Sequence, residues 1–230
     1  MQRGDYLMSS IKNITSSTPM PPDLAKKIGV GGVNEILDVF WKGYYELKKD
    51  PSVVINIMSE EDDITLKWYE KILCIWDSRN RATAIALNEL RPFHQYPDNT
   101  LKKRRGVKAP TIDFCFKDWS TDNCYFGAEA KNLFDNRYEK MERYVSTGVN
   151  NYINGRYGSQ SSESSIIGYV LSGKIPDIVN KLKAILAKGN PISNLARTTN
   201  NNPQYTSSHS RLYDNREIVL YHLFFDFACA

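Results

Sequence analysis

The amino-acid sequence predicts an α/β domain in which a mixed central β-sheet is flanked by helices. Two observations predict it. Segments with helical and strand periodicity follow one another in the order helix–strand–strand–strand–helix–strand, which suits a layered α/β fold. The chain has 230 residues, of which 41% are apolar or aromatic, enough to bury one substantial core. The expected organisation is a loose N-terminal arm over residues 1–30 and a single domain over 31–230, with its core at about 60–172.

Ser9 to Pro22 is rich in Ser, Thr and Pro and reads as the arm. A helix from about Val33 to Lys48 follows, with Ile36, Leu37, Phe40, Trp41, Tyr44 and Leu47 on one face. A second helix begins after Ser59, its inner face running through Ile64, Trp68, Ile72 and Ile75. Ser59 and Asp62 have the spacing of a capping box. Between Arg81 and Thr100 the pattern is ambiguous, and Thr83–Leu87 reads equally as strand or helix end. Thr111–Lys117 and Cys124–Asn132 alternate as two strands joined by polar turn residues. A helix from Arg137 to about Asn154 is expected to bury Tyr138, Met141, Val145, Val149 and Tyr152. Ser164–Ser172 reads as a buried strand, Pro176–Lys188 as an amphipathic helix and Val219–Phe227 as an apolar closing strand. Asn190–Asn215, rich in Asn and Ser, reads as a long surface loop.

Composition narrows the function classes. A formal net charge of +4 permits a polyanionic partner without demanding one. The 14 tyrosines suit base stacking and half-buried sheet positions equally. Cys74, Cys115, Cys124 and Cys229 lack CxxC spacing and read as reduced core residues, neither a zinc site nor a disulfide framework. No stretch approaches a membrane span and the N-terminus lacks an apolar leader, so a cytoplasmic protein is expected. The Arg3–Asp5 RGD triplet and the sequon at Asn13 carry little weight in that setting.

Pro110 to Leu133 carries the chemistry. Along the second strand Phe126, Ala128 and Ala130 share one face, and Gly127, Glu129 and Lys131 the other. In the first strand Ile112, Phe114 and Phe116 oppose Asp113 and Cys115. A hairpin symmetric about Thr121 sets Asp113 directly across from Glu129, with Cβ atoms roughly 5 Å apart. Two opposed carboxylates repel, and a divalent cation between them removes the penalty. Carboxylates plus waters suit Mg²⁺, and Lys131 then places an ammonium beside a scissile phosphate. A solvated hairpin face would show the same E-x-K alternation.

Asp113 followed across a hairpin by Glu129-Ala130-Lys131 resembles the signature of the PD-(D/E)XK, or restriction-endonuclease-like, nucleases, over roughly Glu60 to Ser172. Pro110 departs from the motif, since it does not adjoin Asp113. The resemblance implies a restriction-endonuclease-like core and a DNA endonuclease, in host (anti-phage) defence or DNA processing. It implies Mg²⁺, with Mn²⁺ substituting, held by Asp113, Glu129 and the Ala130 carbonyl, and Lys131 acting on the attacking water and the phosphate. Members often add an acid from the first core helix. Glu61 falls at the centre of that helix's apolar face and is the candidate. Complementing the helix N-terminus explains Glu61 equally well.

The run Lys102, Lys103, Arg104, Arg105 with Lys108 is a candidate DNA contact. Tyr205–Arg211 offers phosphate-binding groups or is a polar loop, and Arg137, Lys140 and Arg143 line a groove or face water. His94 and His222 read as core residues. No reading module such as a helix-turn-helix is present, so specificity would come from loops, a homodimer or a partner protein. RNA is a second substrate class. The alternative from another class is a non-catalytic nucleic-acid-binding or assembly protein that keeps the nuclease fold.

Overall fold

The computed structural model describes residues 23–79, 89–98, 109–118, 125–189 and 195–228. Helix α1 (Leu24–Lys49) starts where the Asp23 carboxylate accepts the N–H of Ala25 at 3.0 Å. Leu24 and Ala25 are buried, so helix replaces the end of the expected arm. Gly29, at φ 67°, supplies the kink within it. Helix α2 (Glu61–Ser78) buries Ile64, Thr65, Trp68, Ile72 and Trp76. The expected capping box does not form. Glu60 is the N-cap without a side-chain bond, because the Ser59 hydroxyl instead accepts the N–H of Asn56 at 2.9 Å.

The sheet has seven strands: β1 (Leu90–Pro97), β2 (Thr111–Asp118), β3 (Tyr125–Phe134), β4 (Glu163–Ser172), β5 (Ala196–Arg197), β6 (Gln204–Ser210) and β7 (Glu217–Asp226). Their order across it is β1-β2-β3-β4-β7-β6-β5. β3 with β4 and β4 with β7 are parallel, and the other pairs are antiparallel. The chain is thus α/β with a mixed sheet. β1 occupies part of the ambiguous segment, while Thr83–Leu87 lies outside the described residues.

Helices cover both faces. Helices α1 and α2 bury Phe40, Trp68 and Trp76 against Phe114, Phe116, Phe126 and Ala128. Behind the sheet runs a continuous helix, α3 (Tyr138–Arg143), a π-helical turn (Tyr144–Val149) and α4 (Asn150–Ile153), together with helix α5 (Ile175–Gly189). Met141, Val145, Val149 and Tyr152 are buried as expected and Tyr144 joins them, while Tyr138, expected inside, is the first residue of α3 and is 46% exposed. Ile112 also departs from alternation. It packs in the rear core rather than with Phe114, and a side chain at Gly127 would collide with its Cδ1.

Two further expectations are corrected. Cys74 is exposed; Cys115 alone of the described cysteines is buried. The segment expected as a loop contains β5 and β6. Its inward residues, Ser207 and His209, are polar, so the sequence shows no apolar alternation. Burial is possible because they bond one another. The Ser207 hydroxyl lies 2.7 Å from Nε2 of both His209 and His222, and His222 Nδ1 lies 2.8 Å from the Tyr144 hydroxyl. Arg211, expected on that loop, is buried and donates to the carbonyls of Gly158, Ser159 and Ser161. Neither it nor His209 is therefore a surface phosphate ligand.

Burial holds both imidazoles neutral, pushing His209 down to about 4 and His222, also opposed by His209, to about 3. The unfolded chain binds more protons as pH falls below about 6.5, so this contribution is full above that pH and lost on acidification. Ser207→Ala leaves two buried imidazoles short of a partner. It is expected to cost about 2–4 kcal/mol at pH 7 by urea unfolding; a change within experimental error would show the chain to be incidental.

Candidate functional site

The site lies where β2 and β3 part. Their register pairs Phe114 with Ala128, Cys115 with Gly127 and Phe116 with Phe126. That is the register centred on Thr121, and its continuation sets Asp113 opposite Glu129. The paired ladder ends at Phe114, and beyond it the Asp113 Oδ2 accepts the N–H of Ala130 at 2.7 Å. The carboxylate thus satisfies a donor that a regular ladder would pair with a carbonyl.

β3 is a central strand covered on both faces, so Glu129 and Lys131 are only 5% and 6% exposed. A solvated hairpin face is excluded. An ammonium at that depth requires partners, and Lys131 Nζ donates to Glu129 Oε1 and to Glu61 Oε1, both at 2.9 Å, and to the Ala130 carbonyl. Glu61 comes from the first turn of α2 and its second oxygen accepts the N–H of Asn132 at 3.0 Å. Of the two explanations for Glu61, these contacts favour membership of the site over a purely helix-terminal role. The π turn crosses above: a side chain at Gly148 would stand 3.9 Å from Lys131 Cγ.

The charges do not balance. Three carboxylates face one ammonium. Desolvation, then the repulsion of Asp113, raises the Glu129 carboxyl to about 8. Desolvation likewise raises Asp113 to about 6, against the pull of Lys131 and the Ala130 N–H. Burial opposes the charge on Lys131, but Glu129, Glu61 and Asp113 outweigh it and hold its pKa above the ordinary lysine value. Glu129 Oε2 is buried without a hydrogen-bond partner among the described residues.

Asp113, Glu129, Ala130, Lys131 and Glu61 therefore come together. As positioned, however, no three His, Cys, Asp or Glu side chains among the described residues are grouped as a metal cage. Lys131 stands between Glu61 and Glu129 and keeps them on itself. Lys102, Lys103, Arg104, Arg105 and Lys108 lie outside the described residues. Asn132, which donates to the Ser59 carbonyl at 2.9 Å and ties the α2 entry to β3, was not singled out by sequence. Its contribution to Glu61 is a backbone N–H, which no residue pattern reports. Among the described residues, no helix is long and apolar enough to cross a membrane.

Raised carboxyl pKa values mean that the folded chain keeps protons the unfolded chain has lost. Stability contributed by Glu129 and Asp113 is therefore present at low pH and declines as pH rises toward about 8 and about 6 respectively. A cation bound by these groups must displace those protons. Scanning calorimetry with and without Mg²⁺ is expected to show a Tm increase that is larger at pH 8 than at pH 6, and smaller at both in Glu129→Gln. A pH-independent increase shared by the variant would place the cation elsewhere.

No family model, no curated protein and no solved structure matches this chain.

Proposed function

We propose that the chain is a Mg²⁺-dependent endonuclease that hydrolyses DNA, built on a restriction-endonuclease-like core. The observation that carries this is the pairing of Glu129 and Glu61 with Lys131 beside a third acid, Asp113, on the adjacent Ala130 N–H, with excess negative charge and a buried Glu129 oxygen that has no hydrogen-bond partner among the described residues. An acid cluster serving only to hold a lysine would not need the third carboxylate. The donors fit a hard cation: Asp113, Glu129 and the Ala130 carbonyl offer oxygen ligands for Mg²⁺, with Mn²⁺ able to substitute. When bound, the cation supplies a water of lowered pKa and neutralises charge gathering on the phosphate.

The chain's own residues do the rest. With Glu129 engaged by the cation, Lys131 would turn one N–H from Glu129 Oε1 to a non-bridging phosphate oxygen and stabilise the added charge as the phosphorus becomes pentacovalent. Both oxygens of Glu61 already accept hydrogen bonds, so it acts by positioning Lys131 rather than as a metal ligand. Water attacks phosphorus and gives up a proton to solvent, the bond to the leaving ester oxygen breaks, and that oxygen leaves with a proton from solvent. The two-sided burial of β3 holds these groups rigidly.

A second reading has one observation in its favour. Lys131 already pairs with two of the acids, so the cluster could be structural in a DNA-binding or assembly protein. Incubation of plasmid and single-stranded DNA with Mg²⁺ and with EDTA separates the two. Cleavage is expected only with Mg²⁺, and Asp113→Asn is expected to cut roughly a hundredfold more slowly or worse, the metal supplying several kcal/mol, while melting no lower than wild type without metal. Intact DNA under every divalent cation, with no thermal shift, would favour the structural cluster.

A further inference from the structure

Some surface cations elsewhere in the fold are paired, Lys27 with Glu89, Lys49 with Glu46, Lys71 with Asp50 and Arg216 with Asp214, while others, Lys42 and Lys67 among them, make no ion pair among the described residues. The helices behind the sheet gather several such cations on one face. Arg137, Lys140 and Arg143 on or beside α3, and Lys174, Lys181 and Lys188 on or beside α5, make no ion pair among the described residues. All but half-buried Lys140 are exposed. On α5 the three lysines are seven residues apart, which keeps them on one side of the helix over roughly 21 Å at 1.5 Å per residue. Asp177 is the acid of its first turn. The two helices pack together through Met141, Ile178 and Leu182. They also meet at the surface, where Lys181 Nζ donates to the Asp135 carbonyl at 2.7 Å, two residues before Arg137.

We propose that this α3–α5 face is a binding track for the phosphate backbone of duplex DNA, continuous with the candidate site. β3 joins the two. Asp135 lies four residues beyond Lys131, roughly 13 Å at strand rise, or about four base steps along one DNA strand. Unpaired cations at regular spacing suit a polyanion of regular charge spacing, and a partner neutralised by them releases condensed counterions. The choice of DNA as the polyanion rests on the nuclease reading.

Binding measured without divalent cation separates the track from the chemistry. Anisotropy of a fluorescein-labelled 30-base-pair duplex, titrated with full-length protein between 50 and 250 mM NaCl, gives Kd and its salt slope. Lys174→Ala/Lys188→Ala is expected to raise Kd at every salt concentration and to flatten the slope by about two, near one for each lost phosphate contact. The comparison variant Lys42→Ala/Lys67→Ala removes equal charge from α1 and α2 and is expected to leave the slope near wild type. Each single variant, Lys174→Ala and Lys188→Ala, should contribute about half the change. Equal effects from the two double variants, no effect from either, or no binding by wild type would overturn the track. A wild type that binds with these slopes yet never cuts with Mg²⁺ would overturn the nuclease reading and leave the track standing.

Discussion

The burial of β3 on both faces is the constraint on which the rest of the site depends. A strand at the centre of a mixed sheet is normally apolar throughout, yet this one carries a glutamate and a lysine, 5% and 6% exposed. Neither can be left alone at that depth. Lys131 is satisfied by Glu129 on its own strand, by the Ala130 carbonyl and by Glu61 reaching in from α2. Glu61 is fixed in turn by the Asn132 N–H. The first turn of α2, the parting of β2 from β3 and the position of the lysine are therefore one coupled arrangement.

That arrangement is electrostatically incomplete in one direction only. Lys131 has all the acceptors its ammonium can use, whereas Glu129 retains a buried oxygen without a donor and both it and Asp113 resist ionisation. Protons meet that imbalance at low pH, and on the proposed reading a divalent cation meets it at higher pH. The polar chain through Tyr144, His222, Ser207 and His209 is the contrasting case. It is equally buried and neutral hydrogen bonds join its members, and the atom it leaves without a partner among the described residues, His209 Nδ1, belongs to an uncharged ring. The two clusters load the fold oppositely with pH, the imidazoles favouring neutral conditions and the carboxyls acidic ones.

Where apolar and polar residues alternated cleanly, the sequence was legible. The β2–β3 register, with Phe114 across from Ala128, followed from a symmetric turn and two alternating strands, and the inward direction of Glu61 followed from the helical period of α2. Legibility failed where burial was achieved by polar groups. β6 hides Ser207 and His209 rather than valines, and so looked like a loop. It failed again where the backbone left its regular geometry: the end of the β2–β3 ladder sent Ile112 to the opposite core. That Glu61 meets Lys131, seventy residues away in sequence, is set by packing of α2 against the sheet. No local pattern encodes it.

The central claim is that the acids around Lys131 form a divalent-cation site. Crystals soaked in Mn²⁺ and measured near the manganese absorption edge test it most directly. The account predicts an anomalous peak within about 2–2.5 Å of carboxylate oxygens of Asp113 and Glu129, with the Lys131 ammonium moved off Glu129 Oε1. An anomalous map empty at this position, with Lys131 still bridging Glu61 and Glu129, would contradict it.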